Sequence, residues 1–148
     1  MDVCRLSPDD SDAMHAMLDL FATAFDDDAN YVGKRPDRTY LSELLGNAHF
    51  IALTATSEER LIGGLAAYVL PKFEQARSEV YIYDLAVDER YRRCGVATAL
   101  IDALKPIARE NGAWVIFVQA DHGDDPAISL YSKLGQREDV LHFDIAPD

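Results

Sequence analysis

Long hydrophobic runs are absent from this sequence. No apolar stretch reaches membrane-spanning length, and the first residues carry no signal-peptide pattern, so no membrane partner is expected. Cysteine is scarce as well: Cys4 and Cys94 are the only 2 in 148 residues, too few for a disulfide framework or a thiolate metal site. A cytoplasmic protein with free thiols is the default expectation. His15, His49 and His122 lack metal-ligand spacing, and no metal is expected. Basic residues are also outnumbered, with 14 Lys and Arg against 26 Asp and Glu, a net charge of -12 at pH 7. That balance excludes nucleic acid as a partner, because phosphate contacts demand a basic surface. It favours a cationic small molecule, whose steering toward the protein would weaken with salt.

Two familiar phosphate-binding signatures are missing too. There is no Gly-x-x-x-x-Gly-Lys-Ser/Thr run and no Gly-x-Gly-x-x-Gly after a first strand.

What is present is a 49% hydrophobic chain long enough to bury one core, read as a single domain over residues 1–148 without repeats or linkers. Val3 to Leu6 reads as a first strand. Ser11 to Phe25 reads as an amphipathic helix with Met14, Met17, Leu18, Phe21 and Phe25 on one face. Tyr40 to Leu45 is a short second helix. Phe50–Ala55 and Leu61–Leu70 read as antiparallel strands about a polar turn, and Val80–Val87 as a longer strand. Val96–Glu110 is a helix expected to kink at Pro106 and to end at Asn111-Gly112. Ala113 to Ala120 is an apolar run suited to a strand buried on both faces and parallel to its predecessor. Asp125-Pro126 opens a helix that stops at Gly135, and Asp139–Ile145 reads as a closing strand.

The most telling stretch joins the Val80–Val87 strand to the Val96 helix through Arg92-Arg93-Cys94-Gly95-Val96-Ala97. Such a turn presents backbone N–H groups at a helix N-terminus, where the partial positive charge favours an anion. Gly95 and Ala97 let a pyrophosphate approach the backbone, and Arg92 and Arg93 add full charges. A phosphorylated cofactor is the natural ligand. Cys94 lies in this turn without a recognisable histidine partner, and reads as a small side chain rather than a nucleophile.

Arg92-x-x-Gly95-x-Ala97 resembles the acetyl-CoA pyrophosphate loop of the Gcn5-related N-acetyltransferases. Downstream, Ala127-x-x-Leu130-Tyr131-x-Lys133-Leu134-Gly135 resembles that superfamily's second motif. From about Phe50 onward the sequence is similar to the gentamicin-type aminoglycoside 3-N-acetyltransferases. The matching segments are Pro71–Glu79, Tyr81–Val87, Val118–Asp121, Gly123–Pro126 and Val140–Ile145. The Asp26 to Arg38 segment is where relatives should differ and where substrate choice should sit.

The resemblance implies an α/β (α+β) acetyltransferase fold: a mixed, mostly antiparallel sheet with helices on both faces and a central parallel pair splayed open. Acetyl-CoA would enter the splay, its amides pairing with Leu85, Ala86 and Val87, its pyrophosphate resting on Arg92, Arg93, Cys94, Gly95, Val96, Ala97 and Thr98. The strand amide near Leu85 would polarise the thioester carbonyl. Tyr131 is the implied proton donor to the departing thiolate. The resemblance also allows a homodimer.

Transfer to an amine needs a group that accepts its proton. Asp84 is the candidate, because a charge amid an apolar strand is costly without a partner or a purpose. It would serve as general base or as an anchor for the ammonium group. Asp26, Asp27, Glu79, Asp121 and Asp144 are further acidic candidates for holding the acceptor. The function implied is direct acetylation of an aminoglycoside at the 3-amine of the deoxystreptamine ring in a ternary complex, conferring resistance. The alternatives are an acetyltransferase of another cationic amine, such as a polyamine or lysine, and a non-catalytic acyl-CoA-binding module.

Overall fold

The computed structural model describes all residues, Met1–Asp148. The chain divides into two compact units, Met1–Val118 and Gln119–Asp148. The first contains strand β1 (Asp2–Arg5), helices α1 (Ser11–Phe25), α2 (Asp28–Tyr31) and α3 (Arg38–Leu45), and strands β2 (Phe50–Ser57), β3 (Arg60–Pro71) and β4 (Ser78–Val87). A single 3-10 turn at Glu89–Tyr91, helix α4 (Val96–Glu110) and strand β5 (Ala113–Val118) complete it. The second unit holds one helix, α5 (Asp125–Leu134).

The five strands form one sheet in the order β1-β2-β3-β4-β5. Neighbours from β1 to β4 pair antiparallel, and β4 pairs parallel with β5. A parallel partner needs a long crossover, and α4 supplies it. The sheet is thus mixed and mostly antiparallel.

Helices cover both faces, and two adjacent glycines let them in. A side-chain carbon on Gly64 would meet Met17 of α1 at 2.5 Å, and one on Gly63 would meet Val96 of α4 at 2.7 Å. Successive residues point to opposite faces, so α1 lies on one side of β3 and α4 on the other. On the α1 side Met14, Met17 and Phe21 pack with Leu41 and Leu45 of α3 against Phe50, Ala52 and Ala86. Full burial of each large apolar side chain contributes roughly 1.5–3 kcal/mol. On the α4 side, Leu100 and Leu104 are fully buried.

Some expectations need correction. Asp139–Ile145 forms no strand: residues 136–148 have no regular structure, and Leu141, Phe143 and Ile145 are largely exposed. Alternating side chains make a strand only when a neighbour takes the backbone hydrogen bonds, and this segment has none. The parallel pair consequently lies at the sheet edge, with β5 outermost. Trp114 is 56% exposed rather than buried, because an edge strand lacks cover on one flank; Arg77 lies 4.3 Å over its ring instead. Helix α2 is a single turn, too short to leave a periodicity in the sequence.

Candidate active site

β4 carries the centre of the site. Its register against β3 slips after Ile82: Ile82 stands opposite Ala67 and Asp84 opposite Ala66, so Tyr83 has no partner. This is a β-bulge, and it changes which face the following side chains meet. Ala67 and Ala66 point to opposite faces, so Asp84 leaves the side of Ile82 and joins that of Tyr68 and Tyr81. That is the side of α1 and α2. One extra residue aims the carboxylate.

There Asp84 is half-buried and accepts a hydrogen bond at Oδ2 from the Tyr31 hydroxyl of α2, at 2.8 Å. No lysine, arginine or histidine pairs with it. Burial pushes its carboxyl above the ordinary value, and the Tyr31 bond partly opposes that push. The simplest structural explanation of a strand aspartate, an ion pair with a nearby cation, is thereby removed. What surrounds it is aromatic. Tyr81 stacks on Phe117 at 4.7 Å between centroids, Tyr83 meets Tyr81 at 5.7 Å and Tyr68 at 5.8 Å, and Tyr68 meets Phe50 at 5.2 Å. Burial and neighbouring phenols raise the Tyr68 and Tyr81 hydroxyls above their usual range. Beside this row opens a cavity of about 390 Å³, lined by Tyr68, Tyr81 and Tyr83 together with Leu44, His49 and Phe50.

The same strand offers its backbone. Pairing between β4 and β5 ends at Ile82 and Val118, while β4 continues to Val87. Leu85, Ala86 and Val87 therefore keep β3 on one side and have no strand on the other. A ligand with amide groups can complete this edge as an added strand would.

After β4 the chain turns through Arg92, Arg93 and Cys94, all exposed, into Gly95 at φ 79. Only glycine takes that conformation readily. No atom lies within 4 Å of where a Gly95 side chain would start, so the approach to the helix is open. No side chain caps α4, which leaves the first N–H groups, among them those of Val96, Ala97 and Thr98, free for an anion. Arg92 and Arg93 have no ion-pair partners. The Cys94 thiol points its hydrogen bond at the Arg92 carbonyl, 3.5 Å away, with no histidine beside it.

The other acidic candidates divide. Asp26 closes α1 in a left-handed conformation, φ 50, and is exposed. Asp27 caps α2, its two oxygens accepting from the Asn30 amide and side chain at 3.2 and 2.7 Å. Glu79 accepts from Trp114 Nε1 at 3.0 Å and pairs with Lys72 at 3.5 Å, so it is already engaged in fastening β4 to β5. In the second unit, Asp121 is exposed, and Asp144 pairs with His142 at 2.9 Å. Tyr131 lies there on α5, where burial, and after it the Asp124 carboxylate, pushes its hydroxyl up to about 12. The first unit thus brings together Asp84, the free edge at Leu85–Val87 and the α4 entrance along one strand–turn–helix. Sequence reasoning missed Tyr31 and the tyrosine row; only the alternation of Tyr81 and Tyr83 hinted at a shared surface.

A free strand edge leading into an uncapped, arginine-flanked helix can receive a ligand that carries both amide groups and an anion. The model of the acetyltransferase (GNAT) family matches residues 14–136, and the chain belongs to that family. Its members use acetyl-CoA. A crystal structure of an aminoglycoside acetyltransferase, HMB0005, from an uncultured soil metagenomic sample is similar, with a TM-score of 0.97 and 54% identity over 99% of this chain and 98% of that one. A second, meta-AAC0020 from an uncultured soil metagenomic sample in complex with sisomicin, has a TM-score of 0.91 and 32% identity over 99% and 96%. An N-alpha-acetyltransferase of Sulfurisphaera tokodaii is 31% identical over 87 residues, 51% of this chain and 52% of its own length. The chain spans about half the length of the first such curated relatives.

Proposed function

We propose that the protein transfers the acetyl group of acetyl-CoA to an aminoglycoside, at the 3-amine of the deoxystreptamine ring, by direct reaction in a ternary complex. The observation that carries this reading is Asp84: a half-buried carboxylate with no cationic partner, turned by a bulge onto the sheet face of Tyr68 and Tyr81, two of the residues that line the aromatic cavity. The similarity to two aminoglycoside acetyltransferases, one holding sisomicin, supports the substrate class. A net charge of -12 attracts a polycation. Tyrosine faces suit the apolar faces of sugar rings and the cations they carry. Acetylation removes one of those positive charges, and resistance is the expected consequence.

Acetyl-CoA, when bound, supplies the acetyl group as a thioester. Leu85, Ala86 and Val87 pair with its amides, and the backbone of Cys94–Thr98 with Arg92 and Arg93 holds its pyrophosphate. The amide near Leu85 polarises the thioester carbonyl. Asp84 takes the proton that the acceptor's ammonium group must lose before its nitrogen can attack. Tyr131, held protonated by its raised ionisation, hydrogen-bonds the sulfur that leaves. A phenol is a weak acid for the purpose, but a thiol ionises near 8.5 and needs little help.

The entrance to α4 gives a separate check. Gly95→Asp places a carboxylate where the pyrophosphate belongs and a side chain on a φ of 79. Loss of the helix-terminus contribution, about 2 kcal/mol, corresponds to roughly 30-fold weaker acetyl-CoA binding. Calorimetric titration measures it, and unchanged affinity removes the loop from the cofactor site.

The function itself is tested by thiol release from acetyl-CoA with gentamicin, kanamycin and spermidine compared. Rapid turnover of an aminoglycoside and slow turnover of spermidine are expected. The reverse ranking assigns the enzyme to another amine.

A further inference from the structure

Tyr31 lies outside every motif of the sequence, yet its side chain is the one that grips the Asp84 carboxylate. Its ring packs against Phe21 and Phe25 of α1, at 5.9 and 5.6 Å between centroids. Its carbonyl accepts from Arg35 Nη2 at 3.1 Å, and Arg35 is itself paired with Asp19 of α1 at 2.6 Å. Its helix, a single turn, is fastened at the start by Asp27. Ring, carbonyl and helix are all anchored, which leaves the hydroxyl little freedom of aim. Asp84 receives it at Oδ2, and Oδ1 accepts no hydrogen bond from the protein.

We infer that Tyr31 is the positioning residue of this site, holding Asp84 by Oδ2 so that Oδ1 is the oxygen presented to the acceptor's ammonium group. The inference rests on the reading of Asp84 as the proton acceptor. In the step it serves, an N–H bond of the ammonium breaks, the proton passes to Oδ1, and the nitrogen keeps the electron pair with which it attacks. Tyr31 does not relay that proton onward. Burial and the adjacent carboxylate drive its own ionisation far above the ordinary tyrosine range, so it donates a hydrogen bond and keeps its proton. Through Tyr31, the segment between Asp26 and Arg38 is tied directly to the reacting carboxylate. A change of sequence in that segment would alter the aim of Asp84 as well as the shape of the acceptor's surroundings.

The groups facing Asp84 are Tyr31 from α2, Tyr68 from β3, and Tyr81 and Tyr83 of β4 itself. Asp27 acts on Tyr31, and the α1 residues at hand, Phe21 and Phe25, do not titrate. With no cation among them, the Tyr31 hydrogen bond is what opposes burial in keeping Asp84 ionised. Removing the hydroxyl leaves burial unopposed, and Asp84 then protonates at higher pH.

The test compares wild type, Tyr31→Phe and Asp84→Asn. The readouts are kcat/KM for the acceptor across pH and the Asp84 carboxyl titration followed by carbon-13 NMR. In Tyr31→Phe the acid limb and the Asp84 titration should both move to higher pH. On that limb the loss should approach about tenfold, the value of one hydrogen bond to a charged group, and above it a smaller loss should remain, because the ionised carboxylate is less firmly aimed. A uniform loss at every pH with an unmoved Asp84 titration overturns the inference. If Asp84→Asn keeps its turnover, the proton-acceptor reading fails on its own, and the NMR titration still decides whether Tyr31 holds the carboxylate. Should Tyr31→Phe fold poorly, 3-fluorotyrosine placed at position 31 is a stronger donor and must shift the limb the opposite way.

Discussion

Asp84→Asn is expected to lower kcat/KM for the amine acceptor by about a thousandfold, the middle of the range for a lost general base. Asparagine has nearly the same shape and can still accept the Tyr31 hydroxyl, so the geometry survives while the proton has nowhere to go. Acetyl-CoA affinity should stay within about twofold, because Asp84 points to the tyrosine face and the edge proposed for the cofactor begins one residue later. Stability should change in a revealing direction. The folded carboxyl is raised above its unfolded value, so the folded state binds the proton more tightly. Wild-type stability therefore falls as pH rises through the titration of Asp84, and the loss is complete above the folded value. Asp84→Asn carries no such loss, and should melt at or above the wild-type temperature near neutral pH. A thousandfold slower enzyme that is no less stable is the signature of a group kept for chemistry. Thermal melts at two pH values and steady-state kinetics check both halves, and wild-type turnover in the variant would remove Asp84 from the reaction.

Tyr131→Phe is the second large effect. The hydroxyl, pushed up to about 12, holds its proton throughout the working pH range and so remains a donor. Its loss should reduce kcat by about a hundredfold, the low end for a lost acid, with acetyl-CoA affinity nearly unchanged since the interaction forms chiefly as sulfur departs. Supplying an acyl donor with a more acidic thiol should recover much of the rate, because such a thiolate needs no hydrogen bond to leave. A variant that is slow with both donors equally would point to a packing role for the ring.

The fold was readable wherever a local pattern has a local cause. Helices α1 and α4 fall on the residues their periodicity indicated, Ser11–Phe25 and Val96–Glu110. The turn between β4 and α4 was legible because glycine at a positive φ, arginines and a helix start are all written within a few positions. α3 begins two residues before its apolar pattern, at Arg38, because the Asp37 side chain caps the Tyr40 amide. What was not legible depends on partners far along the chain. α2 is one turn, too short for any periodicity, and the bond that makes it matter joins residues 53 positions apart. The bulge at Tyr83 is a property of β3 and β4 together. Conversely, Asp139–Ile145 has the alternation of a strand but no neighbouring chain to pair with, and no local pattern shows that Trp114 and Lys72 hold the Glu79 carboxylate. Asp84 stands out in the sequence as a charge in an apolar strand, and in the fold it has no cationic partner, whereas no local pattern points to Tyr31, which holds it.

The most direct test of the function is to let the enzyme acetylate gentamicin with carbonyl-labelled acetyl-CoA and locate the new amide by NMR. A single acetyl group on the 3-amine of the deoxystreptamine ring is the expected product. Acetylation at a different amine, or release of CoA with no labelled amide on the antibiotic, would contradict it.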